Sequence, residues 1–257
     1  MGKVINLFRK GLGIHRILDR VSSSSETIEQ RLDRNYKLGQ ELLSAMKFNS
    51  TIADSKWFVN KSISPGDSAV NYAFFYTLYR VLSSIKPNNI LEFGLGQSSK
   101  MVHQYAQFFD KKAITVEHDK DWVDFFLNGR EGDYPVNIQM LDLEQIEYKG
   151  ERALVYKDCK KAFTDQKFDL VIVDGPFGFT PDTVYSRLQI LDIVQECIAD
   201  DFVIIMDDFD RKGEKNTVQE IFDCFARNNI GIVSREYVSV KNHILITTPR
   251  FHFLTTL

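Results

Sequence analysis

Residues 89–97 read Asn-Ile-Leu-Glu-Phe-Gly-Leu-Gly-Gln. The apolar, β-prone start of this stretch, which ends at Phe93, predicts a buried strand. Gly94 and Gly96 then predict a tight turn, because glycine adopts backbone conformations that other residues avoid. Ser98 offers a hydroxyl to cap the helix that the apolar spacing after it predicts. A strand, a glycine turn and a helix N-terminus together let backbone approach a ligand, so the stretch predicts a cofactor site.

The identity of that cofactor depends on two positions near the turn. The nicotinamide fingerprint G-x-G-x-x-G requires a third glycine, and its position holds Ser99. An acid, Glu92, lies inside the strand two residues before Gly94. The pattern Glu-x-Gly-x-Gly resembles the first motif of class I S-adenosylmethionine-dependent methyltransferases, whose usual third small residue falls at Ser98. The resemblance implies that S-adenosylmethionine contacts Glu92, Phe93, the glycines and Ser98. This cofactor carries an ammonium and a sulfonium but no pyrophosphate, so an acid suits the site. An ordinary strand-to-helix turn remains the alternative.

Three further residues are predicted to border the cofactor. Glu117 ends the strand predicted at 113–116, 21 positions after Gly96. An acid about 20 residues beyond a glycine turn is placed to accept both ribose hydroxyls. His118 follows it, and Asp142 follows the third predicted strand, where the resemblance implies contact with the adenine amino group. A solvated carboxylate is the alternative for both acids.

Composition limits the class of protein. The chain has 257 residues, 44% hydrophobic and 26% charged, as expected for one α/β domain with an extension. The net charge is 32 − 35 = −3, so nothing global points to nucleic acid. Three cysteines without C-x-x-C spacing predict reduced thiols in a cytoplasmic protein. No apolar run reaches ~18 residues, so no transmembrane segment is predicted.

Residues 1–85 are predicted to form a helical extension. The basic, amphipathic segment 3–20 is expected to pack on the body or on a second subunit, which leaves a homo-oligomer open, with membrane-surface contact as the alternative. A serine linker or helix cap at 22–25 precedes a helix at 26–46 with apolar residues at helical spacing. A third helix is predicted from Asp67 to Ser84. All three helices are expected to pack on the sheet.

Residues 86–257 are predicted to form the S-adenosylmethionine-binding domain. Strands and helices alternate, and the chain closes with two strands at 232–238 and 243–248, joined by a short connection. Such a closing pair resembles the end of the class I methyltransferase fold. The resemblance implies an α/β, Rossmann-like, seven-stranded sheet of order 3-2-1-4-5-7-6 with the last strand antiparallel. Residues 144–166 are expected to be irregular, with a hairpin at 153–156, and Thr180-Pro181 is expected to open a helix.

Three aspartates follow two successive core strands. Asp174 ends the strand predicted at 168–174, and Asp207 and Asp208 follow the strand at 202–206. Because parallel strands end at the same edge of a sheet, we expect these side chains to meet beside the cofactor cleft. Carboxylate oxygens suit Mg²⁺ or Mn²⁺, and three like charges need neutralising. The sequence therefore predicts a divalent metal that activates an acceptor hydroxyl.

Two arginines compete with a metal for that role. Arg187 lies in the predicted helix after the fourth strand, and Arg211 closes the pattern Asp-x-Asp-Arg that begins at Asp208. Each can pair with the aspartates or hold an acidic acceptor such as a uronate. The candidate catalytic residues are Asp174, Asp208 and Arg211, and Asp174 is also predicted to contact the cofactor.

Several short motifs together resemble known O-methyltransferases. The pattern Glu-His-Asp-x-x-Trp begins at Glu117, and Val-Asp-Gly-Pro-x-Gly spans 173–178. With Arg187 and the pattern at 208–211, they resemble plant O-methyltransferases of glucuronoxylan and bacterial proteins from polysaccharide gene sets. The acidic triple resembles catechol-type metal-dependent O-methyltransferases. The resemblance covers about residues 86–248 and implies O-methylation of a small-molecule or saccharide acceptor. An NAD(P)-dependent oxidoreductase and a non-catalytic S-adenosylmethionine-binding module remain the alternatives.

Overall fold

A seven-stranded sheet and a separate hairpin contain the strands of the protein. The computed structural model describes residues 14–66, 69–129, 132–177 and 183–257, with side chains from Thr27 onward. Within these ranges the strands are β1 Asn89–Phe93, β2 Lys112–Glu117, β3 Ile138–Met140, β4 Leu143–Tyr148, β5 Glu151–Tyr156, β6 Phe168–Val173, β7 Ile198–Met206, β8 Val233–Tyr237 and β9 His243–Thr247.

The order across the sheet is β3-β2-β1-β6-β7-β9-β8, while β4 and β5 pair with each other as an antiparallel hairpin. In this sheet β3, β2, β1, β6 and β7 run parallel to one another, and β9 is antiparallel to both of its neighbours, β7 and β8. Without the hairpin, this is the order 3-2-1-4-5-7-6 with the last strand antiparallel. The prediction of a class I methyltransferase-like fold is confirmed.

Helices cover both faces of the sheet. Within the described ranges they are α1 Ile14–Ile52, α2 Tyr72–Ile85, α3 Gln97–Phe109, α4 Lys120–Gly129, α5 Cys159–Phe163, α6 Ile190–Asp192 and α7 Lys212–Arg227. A π-helical turn, Ile193–Cys197, follows α6, and a 3₁₀ segment, Pro249–Thr256, ends the chain. No helix in the described part of the chain is long and apolar enough to span a membrane.

The two faces of the sheet carry two separate cores. Ile90 packs with α2, α3 and the C-terminal end of α1, while its neighbour Leu91 packs on the other face with α5, α6 and α7. Leu170 and Val171 of β6 divide in the same way, because successive side chains of a strand point to opposite faces. Central strands buried on both faces explain the continuous apolar runs in the sequence. The first core also joins residues from both sides of the domain boundary predicted at 85/86, which stays a prediction.

The first helix differs from the sequence-based expectation. The serine linker predicted at 22–25 is wrong: α1 is helical through these residues, since serine is tolerated in a helix and no glycine or proline interrupts it there. The apolar side predicted to pack on the sheet is exposed, with Leu32 63% and Met46 64% accessible. Phe48 and Ile52, on the other side of the helix, make the contact with the core. Residues 1–13, and with them much of segment 3–20, lie outside the described residues.

Other boundaries also moved. The helix expected from Asp67 begins at Tyr72, capped by Asn71, whose Oδ1 accepts a hydrogen bond from the N–H of Phe74 at 3.0 Å. Asp67 itself lies outside the described residues. The hairpin expected at 153–156 is formed by β4 and β5, and it begins earlier, at Leu143.

The helix predicted to open at Thr180-Pro181 is not formed where the chain is described. Residues 178–182 lie outside the described ranges, and residues 183–189 are not helical. Arg187 has a left-handed backbone with φ of 60°, which a helix does not accommodate. The helix therefore starts only at Ile190.

Candidate functional site

A cavity of about 450 Å³ opens at the carboxyl ends of β1, β2 and β6. This edge is where open α/β sheets bind their ligands. Its walls are the glycine turn after β1, the residues after β2, the loop after β6 and the segment before α2. Of the residues predicted to bind cofactor, the lining includes Gly94, Gly96, Glu117, His118 and Asp174.

The first wall depends on two glycines packed backbone to backbone. Gly94 has φ of 96°, and a Cβ added there would lie 2.7 Å from the carbonyl oxygen of Asp174. A Cβ on Gly175 would lie 2.8 Å from the Cα of Gly94. Any side chain at Gly94 would therefore push the ends of β1 and β6 apart.

Two N–H groups of the glycine turn are taken by side chains of the protein. The N–H of Leu95 donates to Glu117 Oε2 at 3.1 Å, and the N–H of Gly96 donates to Ser99 Oγ at 3.0 Å. In dinucleotide sites, N–H groups at this turn hold the pyrophosphate. Here a carboxylate takes one of these N–H groups and places a negative charge beside the turn. The arrangement favours a cofactor without a pyrophosphate.

Glu117 is held rigidly at the cavity wall. Its Oε1 accepts hydrogen bonds from the N–H groups of His118 at 2.7 Å and Asp119 at 3.1 Å. Trp122 lines the cavity beside it, and its Nε1 donates to the carbonyl oxygen of Leu95 at 2.7 Å. A carboxylate that can accept ribose hydroxyls and an aromatic surface that can stack on a nucleobase thus lie side by side.

Four predicted cofactor residues do not line the cavity. Phe93 and Ser98 are buried beneath the turn, and Asp142 lies at the start of the hairpin. Glu92 is fully buried, and it accepts hydrogen bonds at 2.7 Å from the hydroxyls of Ser98 and Thr115. Burial raises the pKa of Glu92, although these hydroxyls oppose the effect. Glu92 therefore joins β1, β2 and α3 under the turn instead of facing the cavity.

The three aspartates come together as predicted. One oxygen of Asp174, Asp207 and Asp208 each lies within 4.8 Å of the others. Asp174 and Asp208 line the cavity, whereas Asp207 is fully buried behind them. The candidate catalytic residue Arg211 also lines the cavity.

Arg187 is at the centre of this cluster. Its Nη2 lies 2.7 Å from Asp208 Oδ2 and 3.3 Å from Asp174 Oδ1. Its Nη1 donates to the backbone carbonyls of Val173 and Asp207 at 3.1 and 3.0 Å, so the guanidinium links the ends of β6 and β7. Arg187 and Asp208 both have left-handed backbones, with φ of 60° and 57°. Such strained positions concentrate at functional sites.

Two more cations complete the neutralisation. Arg211 Nη1 lies 2.9 Å from Asp208 Oδ2, and Lys241 Nζ lies 3.2 Å from Asp207 Oδ2 and 3.4 Å from Asp208 Oδ1. Lys241 also donates to the carbonyl oxygen of Ala69 at 3.0 Å, which ties the segment before α2 to the site.

Lys241 and the buried Glu214, whose Oε1 lies 3.7 Å from Arg187 Nε, were missed by sequence reasoning. The only sequence signal for Lys241 is its place in the connection between the last two strands.

The pKa values of the three aspartates shift in opposite directions. Burial raises the pKa of Asp174, reinforced by Asp207 and opposed by Arg187. Burial likewise raises the pKa of Asp207, against the effect of Lys241. For Asp208, burial would raise the pKa, but Arg187, Lys241 and Arg211 outweigh it and hold the pKa below its usual value. The pKa of Asp174, at the cavity wall, is thus held above that of Asp208, so Asp174 is the more basic of the two carboxylates.

Basic side chains compete with a divalent metal for the three carboxylates, and the metal site stays a prediction. A hard cation needs carboxylate oxygens as ligands, but oxygens of all three aspartates here face Arg187, Arg211 or Lys241. An ion among them would stand against three positive charges at close range. The contacts therefore favour neutralisation by basic side chains, the alternative left open by the sequence.

Comparison with known proteins adds the following. No protein-family model and no curated protein matches this chain. Similar solved structures include the SAH-bound Podospora anserina methyltransferase PaMTH1, with 15% identity over 91% of this chain and 95% of that chain and a TM-score of 0.43. A putative caffeoyl-CoA O-methyltransferase from Staphylococcus aureus has 14% identity over 87% and 99%, with a TM-score of 0.41. A ribosomal protein L11 methylase from Lactobacillus delbrueckii subsp. bulgaricus has 14% identity over 73% and 82%, with a TM-score of 0.39. At these scores the likenesses carry no argument about activity.

Proposed function

We propose that this protein is an S-adenosylmethionine-dependent methyltransferase that acts in the cytoplasm on a hydroxyl of a small-molecule or saccharide acceptor. One observation carries the proposal: the Glu117 carboxylate takes the Leu95 N–H of the glycine turn, at the wall of a cavity of about 450 Å³. This geometry leaves fewer N–H groups of the turn for a pyrophosphate, whereas a nucleoside whose next group is a cation needs none.

The residues around the turn each contact a different part of the cofactor. Glu117 accepts from the ribose hydroxyls, and His118 and Trp122 border the base. Gly94 and Gly96 allow the chain of the cofactor to pass close to backbone. Glu92 positions the turn from below through Ser98, without touching the ligand.

The acid cluster acts on the acceptor. When bound, S-adenosylmethionine supplies an electrophilic methyl group. Asp174, at the cavity wall, orients the acceptor hydroxyl and accepts its proton as the new bond to oxygen forms. Arg187 Nη2 contacts Asp174 at 3.3 Å and Asp208 at 2.7 Å, so the Asp174 carboxylate keeps its position while it accepts the proton. The segment at Ala69, fixed by Lys241, closes the same side of the cavity.

Calorimetry with S-adenosylhomocysteine, NADH and NADPH tests the cofactor. We expect S-adenosylhomocysteine to bind with a dissociation constant in the micromolar range, on the order of −8 kcal/mol, and neither nicotinamide cofactor to bind. Binding of NADH or NADPH alone would overturn the proposal in favour of an oxidoreductase. Binding of S-adenosylhomocysteine without methyl transfer to any compound in a broad hydroxyl screen would identify a non-catalytic module.

Turnover is expected to depend on Asp174 and not on a divalent metal. Asp174→Asn keeps the size of the side chain but removes the proton acceptor, so methyl transfer should fall by about 100-fold or more. Binding of S-adenosylhomocysteine should stay within a few-fold of wild type. Excess EDTA should leave the wild-type rate unchanged, because basic side chains already neutralise the aspartates. Loss of activity in EDTA, restored by Mg²⁺ or Mn²⁺, would contradict the ion-pair arrangement and reinstate the metal.

A further inference from the structure

The outer face of α1 carries a row of exposed apolar side chains. These residues, each 46–64% accessible, are Ile28, Leu32, Tyr36, Leu38, Leu42, Leu43 and Met46. At about 100° of rotation per residue, all of them fall within about 80° of one line along the helix. That line lies on the opposite side from Phe48, which is buried in the core. The apolar stripe of α1, as we call these seven residues, therefore points away from the core that Phe48 joins.

Much of this helix is exposed in the part of the chain that the structure describes. Every residue from Thr27 to Tyr36 is exposed. The 39 residues of α1 span roughly 58 Å, and the described residues that contact the body lie in the C-terminal part. A helix without tertiary contacts is marginal in water, because packing of an apolar face supplies most of its stability. An exposed apolar patch of several hundred Å² marks an interaction site.

The centre of the stripe follows the spacing of a helical coiled coil. Alternating steps of four and three residues connect Ile28, Leu32, Asn35, Gly39, Leu42 and Met46. This is the a/d repeat by which one helix packs against another. In the sequence the same repeat continues towards the N-terminus through Ser25, Val21, Leu18 and Ile14.

We propose that two copies of this chain associate through α1 as an antiparallel pair with two-fold symmetry. When the two helices are aligned about Lys37, Ile28 lies opposite the partner's Met46 and Leu32 lies opposite the partner's Leu42. Each layer then joins an a position to a d position, as antiparallel helices require, and the same contacts repeat on both sides of the axis.

The middle layer and the buried area also suit a second copy. Asn35 lies opposite the partner's Gly39, where a Cβ would meet nothing within 4 Å and the helices can approach closely. Half-exposed side chains of this size leave roughly 100 Å² each, so two copies would remove on the order of 1,000–1,500 Å² from water, the size class of specific interfaces.

The charge pattern of α1 favours a second copy of the chain over a membrane surface as the partner of the stripe. A helix that lies on anionic lipid carries Lys and Arg on its polar face with few acids. The polar side of α1 instead mixes signs, with Glu29 and Asp33 among its basic residues, and Lys37 pairs with Asp33 at 3.0 Å. This pattern is typical of a helix that packs against protein.

Sedimentation equilibrium of the full chain tests the pair. We expect a dimer at micromolar concentrations, and Leu32→Glu/Leu42→Glu should weaken the dimer by at least about 100-fold, because two acids enter each copy of the seam. The control, Gln30→Glu/Arg34→Gln, adds the same net charge away from the stripe and should leave the dimer intact. Unchanged circular dichroism would show that each variant folds. A wild-type monomer at about 100 μM, or a stripe variant that dimerises like the control, would overturn the proposal.

Cross-linking tests the direction of the helices. The three native cysteines are buried, so introduced thiols report the seam. Ile28→Cys/Met46→Cys should form a disulfide-linked dimer on mild oxidation, whereas Ile28→Cys alone should stay monomeric under denaturing conditions. Efficient cross-linking of Ile28→Cys alone would refute the antiparallel arrangement. Monomeric protein that binds phosphatidylserine vesicles through the stripe would show that the occupant is a membrane.

Discussion

Arg187→Ala is expected to lower the free energy of unfolding by about 3–5 kcal/mol, the typical cost of breaking a buried ion pair. Arg187 is 3% exposed and lies within 3.7 Å of oxygens from Asp174, Asp208 and Glu214. Its loss also leaves the carbonyls of Val173 and Asp207 without their shared donor. The four acids of the cluster, Asp174, Asp207, Asp208 and Glu214, would then face two cations, and the ends of β6 and β7 would lose their link.

Urea denaturation with a matched arginine on the surface measures this effect. Arg250 pairs with Asp201, but its side chain is 70% exposed, so Arg250→Ala should cost about 0–1 kcal/mol. Arg187→Lys should recover only part of the loss, because an ammonium cannot reproduce the planar fork that reaches both strands. If Arg187→Ala and Arg250→Ala destabilise the protein equally, the cluster does not hold the sheet edge together.

Gly94→Ala is expected to reduce binding of S-adenosylhomocysteine by about 100-fold or more and to destabilise the fold by about 2 kcal/mol. Both effects have one cause. The new Cβ would lie 2.7 Å from the carbonyl oxygen and 2.9 Å from the carbonyl carbon of Asp174, and the backbone φ of 96° disfavours any side chain. Backbone cannot yield as a flexible side chain does, so the turn and the wall formed by Asp174 must move together.

Gly129→Ala is the matched control. Gly129 ends α4, its φ lies outside the left-handed region, and nothing lies within 4 Å of an added Cβ. This substitution should leave ligand binding unchanged and stability equal or slightly higher. Calorimetry and thermal melting of both variants measure the two effects. Wild-type affinity in Gly94→Ala would show that the close approach of β1 and β6 does not shape the binding site.

The fold was predictable because its signals are local. Continuous apolar runs mark the central strands, Gly94 and Gly96 mark the turn, and the closing pair of strands marks the end of the sheet. Glu117 was found by its distance from the turn. Each of these signals depends on residues close together in the chain, whose spacing in sequence limits the backbone conformations they can adopt.

Other parts of the site depend on contacts between distant segments. Lys241 reaches Asp207 and Asp208 across more than 30 positions, and it binds Ala69 across 172. Nothing local to Lys241 reveals this role. The metal site was difficult to judge for the same reason. The sequence placed three acids at one edge of the sheet, but only the folded structure shows how many basic side chains reach them.

The sequence by itself determined the central strands, the glycine turn and the acids at its edge, since periodicity and backbone preference act over a few residues, while the strand order followed from the resemblance to class I methyltransferases. Only the tertiary structure decided that Glu92 lies under the turn while Glu117 faces the cavity, because burial depends on what packs above each carboxylate. It also decided which side of α1 is covered. Helical spacing predicts an apolar stripe, but the contact of Phe48 and Ile52 with the core turns that stripe outward.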